Sequence, residues 1–283
     1  MLTIEKYKNF QNSKFPISYA PGDWTVIEGV SGSGRTSLLE AAALTVLDSV
    51  SRDLLVGAYL PDINGSRILS PYGSIRFLEG YQYIFRSGLL IPGGFTLMYP
   101  KFRRYTAAPG HISVRSRFHL SGWRATPYIG EPMISPVFYL EELLLTWYQK
   151  AESFDEWTFC KQILENLLHK PIRYEPPKGM LFDDTLYRSL PQWEQDIIGL
   201  FLDIVASWIH FQNARHREES YALETIQGIV FIDRLDVYWE PSRSLDVFME
   251  LRRIFKNLTF VVTSDFNKLS GMRDMPGIQT IRL

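Results

Sequence analysis

One glycine-rich segment of this chain has the residue types and spacing of a phosphate-binding loop. It runs Gly29-Val30-Ser31-Gly32-Ser33-Gly34-Arg35-Thr36-Ser37 and matches the pattern G-x-x-x-x-G-K-[ST], except that an arginine stands in place of the lysine. Such a loop directs backbone N–H groups and the positive end of the following helix at one point, which suits a phosphate chain. The sequence therefore predicts phosphate binding by the following residues: Gly29, Ser31, Gly32, Ser33, Gly34, Arg35, Thr36 and Ser37.

A second segment supplies a carboxylate. Residues 228–233 are an apolar, β-favouring run that ends in Asp233, which is typical of a central parallel strand buried on both faces. An ionised carboxylate at the end of such a strand needs a partner, and a Mg²⁺ ion near the Thr36 hydroxyl would provide one. We therefore predict that Thr36 and Asp233 are metal ligands. The alternative is that Asp233 only caps the turn that follows the strand.

The residues around these two motifs leave hydrolysis of a bound nucleotide open. Arg35 keeps a positive charge at the phosphates, but a planar guanidinium is bulkier than an ammonium and is not the same compact point charge. Many P-loop ATPases have a glutamate directly after the strand aspartate, where it polarises the attacking water, and this chain has Arg234 there. Asp236 lies close by, so Asp233 and Asp236 are the candidate catalytic carboxylates.

The elements that must position these residues predict an α/β fold. A short buried-strand pattern over 24–28 precedes the loop, and a strong helix-forming run over 38–44 follows it. Beyond Asp233, helical periodicity over 242–256 leads into a buried-strand pattern over 258–263, and strand–helix–strand at this length is a βαβ unit. The predicted fold class is therefore α/β, a P-loop NTPase with a mainly parallel central sheet.

The middle of the chain has a different composition. Residues 51–135 contain many turn residues and short strand-like runs, and residues 137–170 have helical patterns. We predict a β-rich side sheet or insertion, then a helical subdomain, and a proline-bearing connector over 171–179. The predicted organisation is a single domain over 1–283, with a nucleotide-binding core at 1–50 and 185–283 and an insertion at 51–184.

At its two motifs the chain resembles the ABC-type ATPase heads of the SMC/RecF/OLD-like group. The matching segments are 2–10 for the first strand, 29–41 for the phosphate loop, 189–195 for the LSxGE signature and 228–241 for the carboxylate strand. The resemblance covers the two ends of the chain and leaves the middle unaccounted for. It implies an ABC-ATPase-like fold, ATP and Mg²⁺ as cofactors, and a homo- or hetero-oligomer formed through the ATP-facing surface.

Four positions depart from that group's pattern. Arg35 replaces the loop lysine, Trp193 the signature glycine, Arg234 the water-activating glutamate and Asp265 the switch histidine. A tryptophan at the signature glycine would block or reshape the approach of a second subunit's backbone. Together these departures imply that hydrolysis is weak or absent, or depends on residues from a partner.

The resemblance also implies a biological setting, a DNA-maintenance or antiviral-defence complex with a nuclease or another effector protein. No sustained heptad pattern appears between residues 51 and 185, so a chromosome-tethering coiled coil is not expected. Two other classes stay open. One is a non-catalytic scaffold whose degenerate loop no longer binds nucleotide, and the other is a true ATPase that uses Asp236 and a partner's residues.

A basic stretch offers a second candidate surface. Residues 80–130 contain no Asp or Glu, and basic side chains are interleaved with aromatic ones that can stack on unpaired bases. DNA or RNA along 86–124 and a protein partner account for this composition equally well. The residues concerned are Arg86, Lys101, Arg103, Arg104, Arg115, Arg117 and Arg124, with Phe102, Tyr105, Phe118 and Trp123.

Composition excludes several classes of protein. The net charge is −1, so the overall charge of the chain does not indicate a nucleic-acid partner. A single cysteine, Cys160, excludes an internal disulfide framework. Five histidines and one cysteine give no zinc spacing. The N-terminus lacks the apolar run of a signal peptide, and Asp203 interrupts the most apolar stretch, 197–211. We therefore expect no membrane span and a cytoplasmic protein.

Overall fold

The computed structural model describes most of the chain. The described residues are 1–49, 52–53, 55–56, 63–78, 82–89, 95–103, 123–124, 136–137, 139–141, 155–175, 178–214, 225–239, 244–265, 269–273 and 275–283. The chain divides into two compact units, which are Met1–Phe102 with Ser121–Glu131 and Ala222–Leu283, and Arg103–Leu120 with Pro132–Tyr221. We call these the first and the second unit. The domain boundaries given above stay a prediction.

A six-stranded parallel sheet organises the first unit. Its strands, in spatial order, are β14 (Ile278–Arg282), β3 (Trp24–Gly29), β13 (Leu258–Asp265), β12 (Gly228–Ile232), β7 (Thr96–Tyr99) and β8 (Trp123–Arg124). Parallel strands that are covered on both faces are continuous apolar runs, and every residue of β3, β7 and β12 is buried. The predicted α/β fold with a mainly parallel central sheet is confirmed.

The described residues include four α-helices of ten or more residues, α1 (Arg35–Leu44), α2 (Asp155–Leu168), α3 (Gln192–Ala214) and α4 (Ser244–Ile254). In α1 all residues from Leu38 to Leu44 are buried, and the one charged residue among them, Glu40, accepts from Lys8 Nζ at 2.5 Å. The helix α4 connects β12 to the parallel strand β13, which is the predicted βαβ unit. Its Phe248 ring packs edge-on against Trp24 of β3 with 4.3 Å between the ring centres.

An antiparallel side sheet completes the first unit. Its strands, in spatial order, are β2 (Phe10–Phe15), β1 (Leu2–Tyr7), β4 (Arg67–Ser70), β5 (Gly73–Phe77) and β6 (Tyr83–Ser87). One apolar core joins Leu2 and Ile4 of β1 with Leu38 of α1 and Ile229 of β12, so α1 packs between the two sheets. The β-rich side sheet was therefore predicted correctly. Among the strand-like runs of 51–135, the one at 112–118 lies outside the described residues.

The strand β7 is in a different place from the one predicted. The sequence assigned the whole stretch 51–135 to a side sheet or insertion, but β7 pairs with β12 in the central sheet. Four buried residues are too few for periodicity to show which sheet they join. The start of β12 lies against the residue before β7, because Ile229 N–H donates to the Phe95 carbonyl at 2.9 Å.

The second unit contains α2, α3 and a three-stranded antiparallel sheet. The strands are β9 (Ile172–Glu175), β10 (Gly179–Phe182) and β11 (Thr185–Leu186). The predicted connector over 171–179 is therefore wrong, since β9 and β10 pair across it. Prolines on both sides of β9 hid the strand in the sequence.

No described helix, the long α3 included, is apolar enough over a sufficient length to cross a membrane.

Substitution of Gly228 tests the packing of β12 against β7. A Cβ at Gly228 would lie 2.1 Å from the Phe95 carbonyl oxygen, which is backbone and cannot move aside. We expect Gly228→Ala to lower the free energy of unfolding by about 1–3 kcal/mol, because the sheet must open locally. Urea unfolding measures the change. Gly271→Ala is the control, since its Cβ would meet only the Leu245 side chain at 3.4 Å, and an equal loss in both variants would contradict the prediction.

Candidate functional site

The glycine-rich loop connects β3 to α1, where a phosphate-binding loop belongs. At its start, a Cβ on Gly29 would lie 2.3 Å from the Ser33 hydroxyl oxygen and 3.0 Å from the Leu283 carbonyl oxygen, so the loop folds back closely over this residue. At its end, Gly34 is the N-cap of α1 with a φ of 97°, and a Cβ there would lie 3.0 Å from the Phe10 ring. The Ser33 N–H closes the turn by donating to the Val30 carbonyl at 3.1 Å. The left-handed backbone at Gly32, with a φ of 84°, and at Gly34 therefore favours glycine at both positions.

The loop has polar groups that fit an anionic ligand. Ser33 Oγ is buried and has no hydrogen-bond partner in the described part of the chain. No side chain forms a capping hydrogen bond at the N-terminus of α1, and the first turn of this helix has no acidic residue. The first N–H groups of any helix lack acceptors within the helix and favour negative charge. These observations fit the phosphate groups of a nucleotide.

Asp233 lies directly after β12 and is held by two threonine hydroxyls. Thr36 Oγ1 is 3.0 Å and 3.2 Å from the two carboxylate oxygens, and Thr263 Oγ1 donates to Oδ1 at 2.6 Å. The Asp233 side chain is only 4% exposed, so these contacts replace its water. The structure thus brings together Thr36 and Asp233, the two residues predicted as metal ligands.

Arg35 does not extend over the loop in this structure. Its guanidinium Nη1 donates to the Ser264 carbonyl and to Asp265 Oδ1, the latter at 2.9 Å. Both acceptors are at the end of β13, which pairs with β3 so that Asp265 lies opposite Gly29. The side chain is 7% exposed. The cation of the loop is therefore held by a carboxylate of its own chain.

Arg234 makes a second contact with the same carboxylate. Its Nη2 donates to Asp265 Oδ2 at 2.5 Å and its Nε to Asp236 Oδ1 at 3.4 Å. The Arg234 backbone has a φ of 54°, and its N–H donates to Thr263 Oγ1 at 2.7 Å, which holds this uncommon conformation. Asp236 is fully buried and also accepts from the Asp265 N–H at 3.4 Å.

These contacts form one series of alternating charges, Arg35–Asp265–Arg234–Asp236, which we call the charge chain. Three of its members are positions at which the sequence departs from the ATPase pattern. Sequence reasoning treated each departure as a separate loss and did not find the role of Thr263 or Asp265. The signal that could have found it is the change of sign, because Arg234 and Asp265 are substitutions of opposite charge at the edge of one parallel sheet.

Trp193 belongs to the second unit and is not a surface residue. It lies in the first turn of α3 and is 7% exposed. The neighbouring Glu194 is 4% exposed and accepts from Lys170 Nζ at 2.6 Å. The indole is therefore largely buried, and its expected effect on the approach of a second subunit stays a prediction.

The structure removes one residue from the predicted basic surface. Arg103 donates to both oxygens of Asp196, at 2.6 Å and 2.7 Å, and its side chain is fully buried. A buried bidentate ion pair cannot contact a nucleic-acid backbone. Arg86 and Phe102 are exposed. Five other members lie outside the described residues, namely Arg104, Tyr105, Arg115, Arg117 and Phe118.

The strand order and the loop between β3 and α1 define an α/β P-loop NTPase fold. No protein-family model and no curated protein matches the sequence. Among solved structures, the chain is similar to an SMC head bound to the C-winged helix domain of ScpA, at 11% identity over 95% of this chain and 90% of that one, with a TM-score of 0.48.

Two further structures have comparable similarity. One is the SMC head domain from Thermotoga maritima, at 13% identity over 99% of this chain and 92% of that one, with a TM-score of 0.46. The other is a nucleotide-free ATP-binding cassette from an ABC transporter, at 14% identity over 88% and 72%, with a TM-score of 0.35. At these values the fold assignment follows from the chain's own strand order and loop.

Removal of one hydroxyl tests how the site is held together. In Thr263→Val, the buried Asp233 carboxylate loses a donor and the partly buried Arg234 N–H loses its acceptor. We expect the free energy of unfolding to fall by about 1–3 kcal/mol, the cost of leaving buried polar groups unpaired. Chemical denaturation measures this fall. The control is Thr280→Val on β14, a half-buried position, and a Thr263 variant no less stable than this control would overturn the assignment.

Proposed function

We propose that this protein is an ATP-binding, ABC-ATPase-like subunit that acts through nucleotide-dependent assembly more than through rapid turnover. The observation that carries the proposal is the contact of Thr36 Oγ1 with both oxygens of Asp233, at 3.0 Å and 3.2 Å. This contact joins the phosphate loop to the carboxylate at the end of β12. Those are the two groups between which a P-loop protein holds the phosphates and the metal.

The residues proposed for the nucleotide are those of the loop. Its N–H groups and the Ser31, Ser33 and Ser37 hydroxyls would bind the phosphate chain, and Arg35 would supply the positive charge. Thr36 and Asp233 would hold Mg²⁺, which neutralises phosphate charge when it is bound. Within the described residues no group of three or more His, Cys, Asp and Glu side chains could hold a metal by itself. Phosphate oxygens and water would complete the coordination, as magnesium prefers.

The residues beside Asp233 support weak hydrolysis. A guanidinium is a donor only, so Arg234 cannot take a proton from an attacking water. Asp236, the second candidate catalytic carboxylate, is fully buried, and its two oxygens accept from Arg234 and from the Asp265 N–H. Hydrolysis would therefore require Asp236 to leave these contacts, or residues from a partner.

The proposed assembly is a homo- or hetero-oligomer through the ATP-facing surface. Val30, in the loop itself, is apolar and 66% exposed, so its side chain is accessible to a partner at this surface. The resemblance to the SMC/RecF/OLD-like heads suggests a cytoplasmic DNA-maintenance or antiviral-defence complex with a nuclease or another effector. Exposed Arg86 and Phe102 keep DNA, RNA or a protein as candidate ligands of the 86–124 stretch.

The second candidate function is a non-catalytic scaffold that no longer binds nucleotide. One observation favours it, because the guanidinium of Arg35 is already paired with Asp265 and is 7% exposed. Phosphates would have to compete with this ion pair. The two functions differ in whether ATP binds at all.

Calorimetry with ATP and Mg²⁺ separates these two functions. We expect the wild type to bind ATP and Arg35→Ala to bind it about tenfold or more weakly, because a charge-assisted contact with phosphate is lost. Phosphate release from the same samples is expected to be slow. The control is Arg67→Ala, which removes an exposed arginine paired with Glu5 on the side sheet. Absence of ATP binding to the wild type would establish the scaffold alternative.

A second variant tests the metal site. In Asp233→Asn the shape is kept and the charge is lost, so we expect Mg²⁺ no longer to strengthen ATP binding, while binding in the presence of EDTA is unchanged within about threefold. Titrations with Mg²⁺ and with EDTA measure both. Any slow phosphate release by the wild type should disappear in this variant. An undiminished effect of Mg²⁺ would rule out Asp233 as a ligand.

A further inference from the structure

Two arginines from different elements converge on a single carboxylate at the edge of the candidate nucleotide site. Arg35 is the first residue of α1 and donates to Asp265 Oδ1 at 2.9 Å, and Arg234 follows β12 and donates to Oδ2 at 2.5 Å. Each guanidinium therefore has its own oxygen. The two cations are separated by the width of one carboxylate.

A terminal phosphate group presents the same chemistry as this carboxylate. Both offer several negatively charged oxygens that accept from guanidinium N–H groups, and arginine binds carboxylates and phosphates with the same geometry. The position is also suitable, because Asp265 pairs with Gly29 at the start of the loop. An anion that replaced Asp265 between the two arginines would lie next to the loop, where the phosphate chain is proposed to bind.

The exposed fractions of the two aspartate side chains in the charge chain indicate which carboxylate can move out of its ion pairs. The Asp265 side chain is 36% exposed, whereas that of Asp236 is fully buried. Asp236 therefore holds Arg234 in place through its Nε, while Asp265 is at the solvent side and is able to turn away. After that movement, the guanidinium N–H groups of Arg35 and Arg234 that had donated to Asp265 would be available to another anion.

We propose that Arg35 and Arg234 form a clamp for the terminal phosphate of a nucleoside triphosphate, and that Asp265 occupies the clamp until the nucleotide displaces it. This inference rests on the proposed function, because it requires nucleotide at the loop. The clamp also makes the site specific for triphosphates. Only a nucleotide with a third phosphate reaches both arginines, so a triphosphate binds more tightly than a diphosphate. The inference also assigns Arg234 as a phosphate ligand and Asp265 as an internal competitor.

Binding of ATP and of ADP to the same variants tests the clamp. We expect Arg234→Gln to weaken binding of a β,γ-imido analogue of ATP by about tenfold or more and binding of ADP by less than about threefold. Glutamine retains an amide that can donate to the neighbouring carboxylates. We expect Asp265→Asn to strengthen binding of the ATP analogue by about tenfold, because the competing negative charge is removed. Arg67→Ala is the matched control, with no change expected for either nucleotide.

The outcomes separate this inference from the proposed function. Equal effects of Arg234→Gln on both nucleotides, or an unchanged affinity for the ATP analogue in Asp265→Asn, overturn the clamp and leave nucleotide binding intact. If neither the wild type nor Asp265→Asn binds any nucleotide, both proposals are wrong. Binding of the ATP analogue by Asp265→Asn alone would mean that nucleotide does not displace Asp265 in the wild type, which overturns both the displacement of Asp265 and nucleotide binding by the wild type. If thermal unfolding shows that Arg234→Gln does not fold, the affinity of Asp265→Asn for the ATP analogue still tests the clamp.

Discussion

The parallel alignment of β3, β13 and β12 is the constraint on which the site depends. Parallel strands end at the same edge of a sheet, so Gly29, Asp265 and Asp233 are brought to one edge although they are far apart in the chain. The continuous burial of these strands prevents a shift in register, because a shift would expose apolar residues or bury charged ones. The loop, the contact between Thr36 and Asp233 and the charge chain all follow from this alignment.

Burial makes the charges at this edge interdependent. A buried ion that loses its partner is costly, and Arg35 and Asp236 are almost or completely enclosed. The alternating order places a charge of opposite sign beside each member, with Asp265 shared between two arginines. The departures from the ATPase pattern are thus not independent losses. Arg35, Arg234 and Asp265 balance one another's charge in one ion-pair network.

Much of the first unit could be predicted from local pattern, because its strands are continuous apolar runs and its loop has fixed glycine spacing. The runs before Gly29 and before Asp233, and the helix between β12 and β13, were all found in this way. The pattern failed where elements are short or interrupted. It did not distinguish the four-residue β7 from a side strand, and prolines concealed β9. It also counted Arg103 as a surface cation, because a buried partner 93 residues away, Asp196, leaves no local trace.

The sequence by itself determined the fold class and the candidate ligands Thr36 and Asp233, since strand burial and backbone turns are set by neighbouring residues. Only the tertiary structure decided the direction of Arg35 and the partners of Arg234. These depend on which side chains the sheet brings together, over separations of 230 and 31 residues for the two contacts with Asp265. Local patterns describe how a segment folds, whereas the pairing of charges depends on distances that exist only after the strands have assembled.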